Sequence, residues 1–127
     1  QHVTFFANRS YKVTSTDIDR LERVSRSAGD LIAQGVALDS VSLEYMYTKL
    51  ADLRTNLLER ATEDAKKRAE AIASSSGAKI GAIKSARMGV FQITPRYSTM
   101  VDDYGINDTS SRLKDVTAVV GAEFRLK

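Results

Sequence analysis

The chain has 127 residues, of which 43% are hydrophobic and 28% charged, and its formal net charge is +3. This length suits one domain with a working core, and the ordinary composition excludes wholesale disorder. The chain has no cysteine, which excludes disulfides and thiolate chemistry, and no apolar run approaches the roughly 20 residues of a membrane-spanning helix.

The first 47 residues predict a strand, a helix and a second strand. Residues 2–14 alternate apolar and polar side chains, which is typical of a strand with one face in water. The segment Thr14–Gly35 has a helical apolar stripe, with Ser15 or Thr16 as the cap and Gly35 as the C-terminal left-handed residue. Val36–Tyr47 alternates again and predicts a strand with a bulge near residues 39–40.

The second half predicts a long helix and two more strands. The helix runs from Thr48 to Ser76 and is ended by Gly77, and its expected buried stripe consists of Leu50, Leu53, Leu57, Ala61, Ala65 and Ile72. The alanines should let this helix lie close to a sheet. Residues 78–93 predict a strand, and residues 116–127 alternate most regularly, with Glu123, Arg125 and Lys127 on the outward face.

This order predicts an α/β (α+β) fold, β-α-β-α-β-β, as a single domain over residues 1–127. Right-handed crossovers would make three strands parallel, and the last two strands would pair antiparallel, which gives a mixed sheet with helices on one face. Because the other face would stay uncovered, and because the chain begins at Gln1 inside a strand-like pattern, we expect upstream strands, a helix and a targeting segment to precede it.

Two charged residues of the long helix, Asp64 and Arg68, lie four positions apart near the apolar stripe. We expect a structural ion pair that positions the helix at the margin of the sheet. The alternative is a small-molecule or anion site, in which Arg54 and Arg68 grip an anion together with the adjoining loop, residues 94–114.

The loop Thr94–Lys114 is long and has no clear periodicity, and such loops tend to be functional. It is partly apolar, so we expect it to dock against a partner. The expected interaction surface consists of Pro95, Tyr97, Met100, Val101, Tyr104, Ile106, Asn107 and Asp108. Its acidic residues do not have the spacing of a calcium-binding loop, so no metal is predicted.

No catalytic residue is predicted, because the chain lacks the groups that common active sites require. His2 is the only histidine, so neither a zinc site nor a Ser-His-Asp triad can be assembled convincingly, and the glycines form no phosphate loop. No cofactor is expected. Basic residues alternate with acidic ones and no aromatic platform accompanies them, so no nucleic-acid partner is expected either.

Four stretches together resemble the SIMPL domain family: YMYTKLADLR, TEDAKKRAEAIASSSGAKIG, MGVFQITP and YGINDTSSRLKDVTAVVGAEFRL. The residues Asp64–Glu70, the glycine after them and the closing strand resemble the family at large. Met88–Pro95 and Tyr104–Ser111 resemble a bacterial subgroup described as membrane-associated or periplasmic. The resemblance begins at about Tyr11, and we expect the upstream strands and helix of the full family pattern to precede this chain.

The resemblance implies an exported bacterial protein without established enzymatic activity. Some relatives build large ring-like or channel-like oligomers, and roles in envelope or oxidative-stress tolerance are attributed to others. We therefore expect a non-enzymatic SIMPL-domain protein of the bacterial envelope, located in the periplasm or anchored to the membrane facing the periplasm. It would act by self-association or by binding a protein partner, and it would meet the membrane only through an upstream anchor.

Overall fold

The computed structural model of the protein describes all 127 residues and divides into two compact units, Gln1–Leu43 and Glu44–Lys127. Three helices are followed along the chain by four strands. The fold class predicted from the sequence, α/β (α+β), is therefore confirmed. The arrangement of the strands differs from the prediction.

The first unit contains two short helices, α1 (Ile18–Ser27) and α2 (Gly29–Ala33). The cap of α1 is Asp17, whose side chain accepts a hydrogen bond from the Arg20 backbone amide at 3.0 Å, one residue beyond the predicted caps. The single predicted helix is divided at Ala28, directly before Gly29, a residue of low helix propensity. Gly35 follows with φ +85°, as predicted for a C-terminal left-handed residue.

The strands predicted over residues 2–14 and 36–47 are wrong. Both segments lack regular secondary structure, and Phe5 and Phe6 are almost fully exposed. Alternating side chains decide which face of a strand would be apolar, but a strand also needs a neighbour that accepts and donates its backbone hydrogen bonds. In the second segment, the Tyr45 amide instead donates to the Thr109 carbonyl at 2.7 Å.

The second unit begins with α3 (Leu50–Ser75), which the sequence predicted to within two residues. Its packing face continues through Ala65 and Ala69 to Ala73, which is 5% exposed. Ile72, expected in the buried stripe, is 71% exposed, because residues four apart share a helix face and Ile72 lies about 100° from Ala73. Gly77 follows α3 with φ +75°, as predicted.

Helix α3 packs on a two-stranded sheet formed by β1 (Ile80–Met88) and β4 (Val120–Leu126). The strands are antiparallel, with Ile83 opposite Phe124 and Ala86 opposite Ala122, and β1 is bulged between Ile80 and Ser85. Phe124 is half-buried, whereas Glu123 and Arg125 are exposed, which is the predicted alternation. It ends at Arg125, because Leu126, expected on the inward face, is 70% exposed. The predicted antiparallel pairing of the last two strands is realised by β1 and β4.

A second two-stranded antiparallel sheet joins β2 (Gln92–Pro95) to β3 (Lys114–Thr117). The predicted mixed sheet with three parallel strands is therefore wrong, since two of those strands do not form and their crossovers do not exist. The one parallel contact is an isolated bridge between Ile93 and Asn107. The core is small: Ala73, Gln92, Ile93 and Thr94 are the buried residues of the chain.

Candidate interaction site

The loop between β2 and β3, residues 96–113 and hereafter the β2–β3 loop, is held by the buried side chain of Gln92. Gln92 Nε2 donates to the Asp102 carbonyl at 2.7 Å, and Gln92 Oε1 accepts from the Ile106 amide at 2.9 Å and from the Asp102 amide at 3.4 Å. One glutamine thus fixes the loop backbone at two points. Because a buried amide must find partners, this side chain requires the loop to return to it.

The loop also hydrogen-bonds to the backbone of β2. The Ile93 amide donates to the Ile106 carbonyl at 2.7 Å, and the Ile93 carbonyl accepts from the Asp108 amide at 2.9 Å. Gly105 lies between these contacts with φ +87°, and a Cβ there would lie 2.5 Å from Val90 Cγ1 and 3.0 Å from the Phe91 carbonyl oxygen. Only glycine fits this turn without a shift of its neighbours.

An ion pair closes the C-terminal end of the loop. Lys114 Nζ lies 3.0 Å from Asp108 Oδ2, and the two side chains are only 8% and 10% exposed. The Asp108 carboxylate also accepts from the Ser110 hydroxyl at 2.6 Å and from the amides of Ser110 and Ser111 at 3.1 Å. The Ser110 hydrogen bond, followed by that of Lys114, holds the pKa of Asp108 well below its usual range. The carboxylate is therefore ionised and serves to order the chain.

The N-terminal end of the loop is fixed at Tyr97. Its amide donates to Asp115 Oδ2 at 2.8 Å, and its φ is +65°, which is uncommon for a residue with a side chain. The Arg96 guanidinium lies 4.8 Å from the centre of the Tyr97 ring. Both ends of the loop are thus held by side chains of the adjacent strand β3.

The large apolar side chains of this ordered loop point into solvent. Four of them are between 69% and 94% exposed: Tyr97, Met100, Val101 and Tyr104. Of the other residues predicted as an interaction surface, Asn107 is exposed, whereas Pro95, Ile106 and Asp108 are half-buried. The half-buried residues therefore help to hold the loop, and the four exposed apolar side chains are available for contact.

Asp64 and Arg68 form an ion pair on the surface of α3. Arg68 Nε lies 2.8 Å from Asp64 Oδ2, and both side chains are exposed. They were expected at the margin between helix and sheet, but that position is occupied by the alanine face. Exposed pairs four residues apart contribute about 0.3–0.5 kcal/mol, so this pair adds little to the stability of the helix.

The structure does not bring Arg54 and Arg68 together. The two residues are 14 positions apart on the continuous helix α3, which separates them by about 21 Å along its axis. The Arg54 guanidinium lies 5.4 Å from the centre of the Phe91 ring, and Arg68 is paired with Asp64. Two guanidinium groups so far apart cannot contact one small anion.

Two features of this region escaped the sequence analysis. A polar Gln92 within the otherwise apolar stretch VFQI was the available signal for a buried amide that organises a loop. The second feature is the basic character of the sheet surface facing away from α3, which depends on the pairing of β1 with β4. The spacing of Lys84 and Arg87 in the sequence does not reveal which face of the sheet they share.

No group of three or more His, Asp or Glu side chains is placed to hold a metal ion. Asp108 is engaged by Lys114 and Ser110, and Asp102 Oδ1 accepts from the Tyr104 amide at 2.8 Å. None of the helices is both long and apolar enough to cross a membrane.

The chain belongs to the SIMPL family, whose model, described as a protein of unknown function (DUF541), matches residues 1–124. This confirms the resemblance carried by the four sequence stretches. No curated protein and no solved structure matches the chain.

Proposed function

We propose that this member of the SIMPL family is a non-enzymatic interaction module of the bacterial envelope that acts by self-association or by binding a protein partner. The observation that carries the proposal is the β2–β3 loop. Its backbone is fixed by Gln92 and by the Asp108–Lys114 pair, while Met100 and Tyr104 project into solvent.

An ordered loop suits binding because association costs free energy whenever it immobilises a mobile segment. Here Gln92 and β3 already impose the loop conformation in the isolated chain. Tyrosine and methionine are also enriched in protein interfaces, where they contribute large contact areas. A fixed backbone with exposed apolar side chains is therefore better suited to docking than to chemistry.

The polar groups of the loop support a structural role over a catalytic one. The carboxylate of Asp108 is used by Lys114, Ser110 and Ser111, and the amide of Gln92 is used by the backbone of Asp102 and Ile106. These groups are engaged in intramolecular contacts that define the loop. The proposed function therefore assigns them to positioning the exposed apolar residues.

The proposed location is the periplasm, or the membrane surface facing the periplasm, with a role in stress tolerance. Its support is the resemblance of Met88–Pro95 and Tyr104–Ser111 to the periplasmic subgroup of the family. Osmotic-shock fractionation of the native host, followed by immunodetection of the protein, tests the location. Detection only in the cytoplasmic fraction would contradict it.

The interaction itself is tested by sedimentation velocity over a wide range of protein concentrations. We expect the mass of the wild type to rise with concentration, and Tyr104→Ser or Met100→Ser to weaken self-association about tenfold each, as for residues at the centre of an interface. Ile72→Ser is the matched control, because Ile72 is 71% exposed, close to the 69% of Met100, but lies on α3.

A wild type that stays monomeric at all concentrations would leave a separate protein partner as the mode of action. Cross-linking in periplasmic extracts with a photoreactive group at position 100, and with the same group at position 72, then tests that mode. Equal cross-linking from both positions, or none from position 100, would contradict the assignment of the loop as the contact surface.

A further inference from the structure

The exposed part of the β2–β3 loop is acidic as well as apolar. Asp102 and Asp103 are both exposed and lie between Val101 and Tyr104. No lysine or arginine occurs between residues 97 and 111, and Lys114 is paired with Asp108. The tip of the loop, residues 100–104, therefore carries two negative charges among apolar side chains.

The sheet of β1 and β4 has one face toward α3 and one face toward solvent. Ile83 and Phe124 are opposite each other and line a groove with Leu58 and Thr62 of α3, which identifies the covered face. Glu123 and Arg125 alternate with Phe124 and are exposed, so they lie on the other side.

Lys84 and Arg87 lie on that same solvent side. Lys84 Nζ is 3.6 Å from Glu123 Oε2, which places it beside an outward residue, and Arg87 is exposed opposite Gly121. The outer face, defined as Lys84, Ser85, Arg87, Glu123 and Arg125, thus carries three positive charges and one negative charge. Its net charge of about two is equal in size and opposite in sign to that of the loop tip.

We propose that the loop tip of one copy docks on the outer face of a second copy, in a head-to-tail contact. This inference rests on the proposed self-association and names its two surfaces. Asp102 and Asp103 would meet Lys84 and Arg87, and Tyr104 would lie on a guanidinium group, since arginine stacks well on aromatic rings. The aliphatic stems of Lys84 and Arg87 provide apolar area for Met100 and Val101.

A second copy fits the outer face better than a nucleic acid or an anionic lipid surface does. No aromatic side chain lies on this face, so it offers no platform for stacking bases. The matching negative charge is present on the same chain, in a loop whose apolar residues also need a partner surface.

Because the loop tip and the outer face are different surfaces, the contact is heterologous. One copy can offer its loop to one neighbour and receive the loop of another, so assembly continues beyond a dimer unless the geometry closes it. A self-complementary contact of loop against loop would instead stop at two copies and would bring four aspartates together.

The test is a pair of charge-reversal variants. The loop variant is Asp102→Asn with Asp103→Lys, because asparagine keeps the oxygen that accepts from the Tyr104 amide. The sheet variant is Lys84→Glu with Arg87→Glu. Each variant alone should lose self-association at least tenfold, because its loop and its outer face then have the same sign. Circular dichroism verifies that each variant keeps the secondary structure of the wild type.

An equimolar mixture of the two variants should regain self-association. The changed loop of the loop variant then meets the changed outer face of the sheet variant, which has the opposite charge. In the same way, the unchanged loop of the sheet variant meets the unchanged outer face of the loop variant. A matched control for the sheet variant is Lys66→Glu with Lys67→Glu, which makes the same change in net charge as the sheet variant, but on the exposed surface of α3. This control should self-associate like the wild type.

The outcomes separate this inference from the proposed function. A wild type that self-associates while neither variant weakens it, or a mixture that shows no rescue, would overturn the head-to-tail contact and leave self-association standing. A monomeric wild type would overturn both the head-to-tail contact and self-association, and would leave binding of a separate protein partner as the proposed function. If the sheet variant still self-associates but loses binding to anionic phospholipid vesicles or to single-stranded DNA, the outer face serves that ligand and the inference is wrong.

Discussion

At the scale of single residues, Gln92 connects the core to the exposed surface. It is buried beside Ile93 and Thr94, yet its side chain determines where Asp102 and Ile106 lie. A buried amide left without its partners costs far more than the hydrogen bond contributes when it is made. The conformation of the loop is therefore determined by a buried side chain that a binding partner would not contact.

Gln92→Ala tests this role. The substitution leaves the Ile106 amide without its partner and removes one of the two hydrogen bonds of the Asp102 carbonyl, which keeps the Gly105 amide, and it should lower the free energy of unfolding by about 2 kcal/mol. Urea denaturation measures this loss, and hydrogen exchange should accelerate at Ile106 while the amides of the β1–β4 sheet keep their protection. Gln34→Ala, at an exposed position, should change stability by no more than about 0.5 kcal/mol. Equal effects at the two positions would contradict the role of Gln92.

Asp108 gives the protein a defined response to acid. Its pKa is depressed in the folded state by Ser110 and then by Lys114, so its stabilising contribution is complete above the unfolded pKa of about 3.9 and is lost as the pH falls. We expect the wild type to lose stability between about pH 5 and pH 2, and Asp108→Asn to lose less over the same interval.

Thermal or urea unfolding at several pH values gives the slope of the unfolding free energy against pH for each variant. Lys114→Met should give a slope between those of the wild type and Asp108→Asn, because the Ser110 hydroxyl still donates to the carboxylate. An identical slope for the wild type and Asp108→Asn would show that this carboxyl group does not contribute to the acid response.

At the scale of elements, the small residues on α3 set how closely the helix lies to its sheet. Ala65, Ala69 and Ala73 recur every four residues on the face toward β4 and β1, and Ala73 is buried. A helix with methyl groups on its packing face can approach another backbone more closely than one with leucines. The spacing between α3 and the sheet therefore depends on positions that have almost no side chain.

Substitutions at adjacent positions of α3 test this packing. Ala73→Leu adds three carbons to a filled contact and should destabilise the protein by about 1–3 kcal/mol. Ile72→Ala removes three carbons from a side chain that is 71% exposed and should change stability by at most about 0.5 kcal/mol. Chemical denaturation of both variants decides the question. A larger effect at Ile72 than at Ala73 would instead support the buried stripe expected from the sequence, which included Ile72.

The elements that the sequence predicted well are those with local causes. The bounds of α3, the turn at Gly77 and the alternation of β4 follow from residues close together in the chain. The strands expected over residues 2–14 and 36–47 depended on partners distant in sequence, and side-chain periodicity carries no information about such partners. The exposed loop residues were predicted from composition, whereas Gln92 was not, because its role depends on where the loop returns.

At the scale of the whole molecule, the chain buries very little. Ala73 and Ile93 are its buried apolar residues, while many large side chains remain exposed, among them Met88, Tyr104 and Leu126. Domains gain most of their stability by removing apolar area from water. A chain with this distribution gains further stability if a second copy covers part of the exposed area.

Such a gain makes the melting temperature depend on protein concentration. For an associating protein, mass action stabilises the folded state by about 2.7 kcal/mol when the free partner is at 100 times the dissociation constant. We expect the melting temperature to rise by several degrees over a 100-fold increase in wild-type concentration, as measured by calorimetry. The loop variant Asp102→Asn with Asp103→Lys should melt at one temperature throughout. A wild type with an invariant melting temperature would argue against coupling between folding and association.

The turn at Gly105 brings position 105 close to Val90, a residue that lies before the loop in the sequence. A methyl group at 105 would collide with Val90 Cγ1, so the two sites share one small volume. A chain with the same turn and an alanine at 105 would therefore need either a shift of the Val90 side chain or a smaller residue at 90. Val90→Ala should accordingly relieve the collision with Cγ1 in Gly105→Ala, while the approach to the Phe91 carbonyl oxygen at 3.0 Å and the strain of the positive φ would remain.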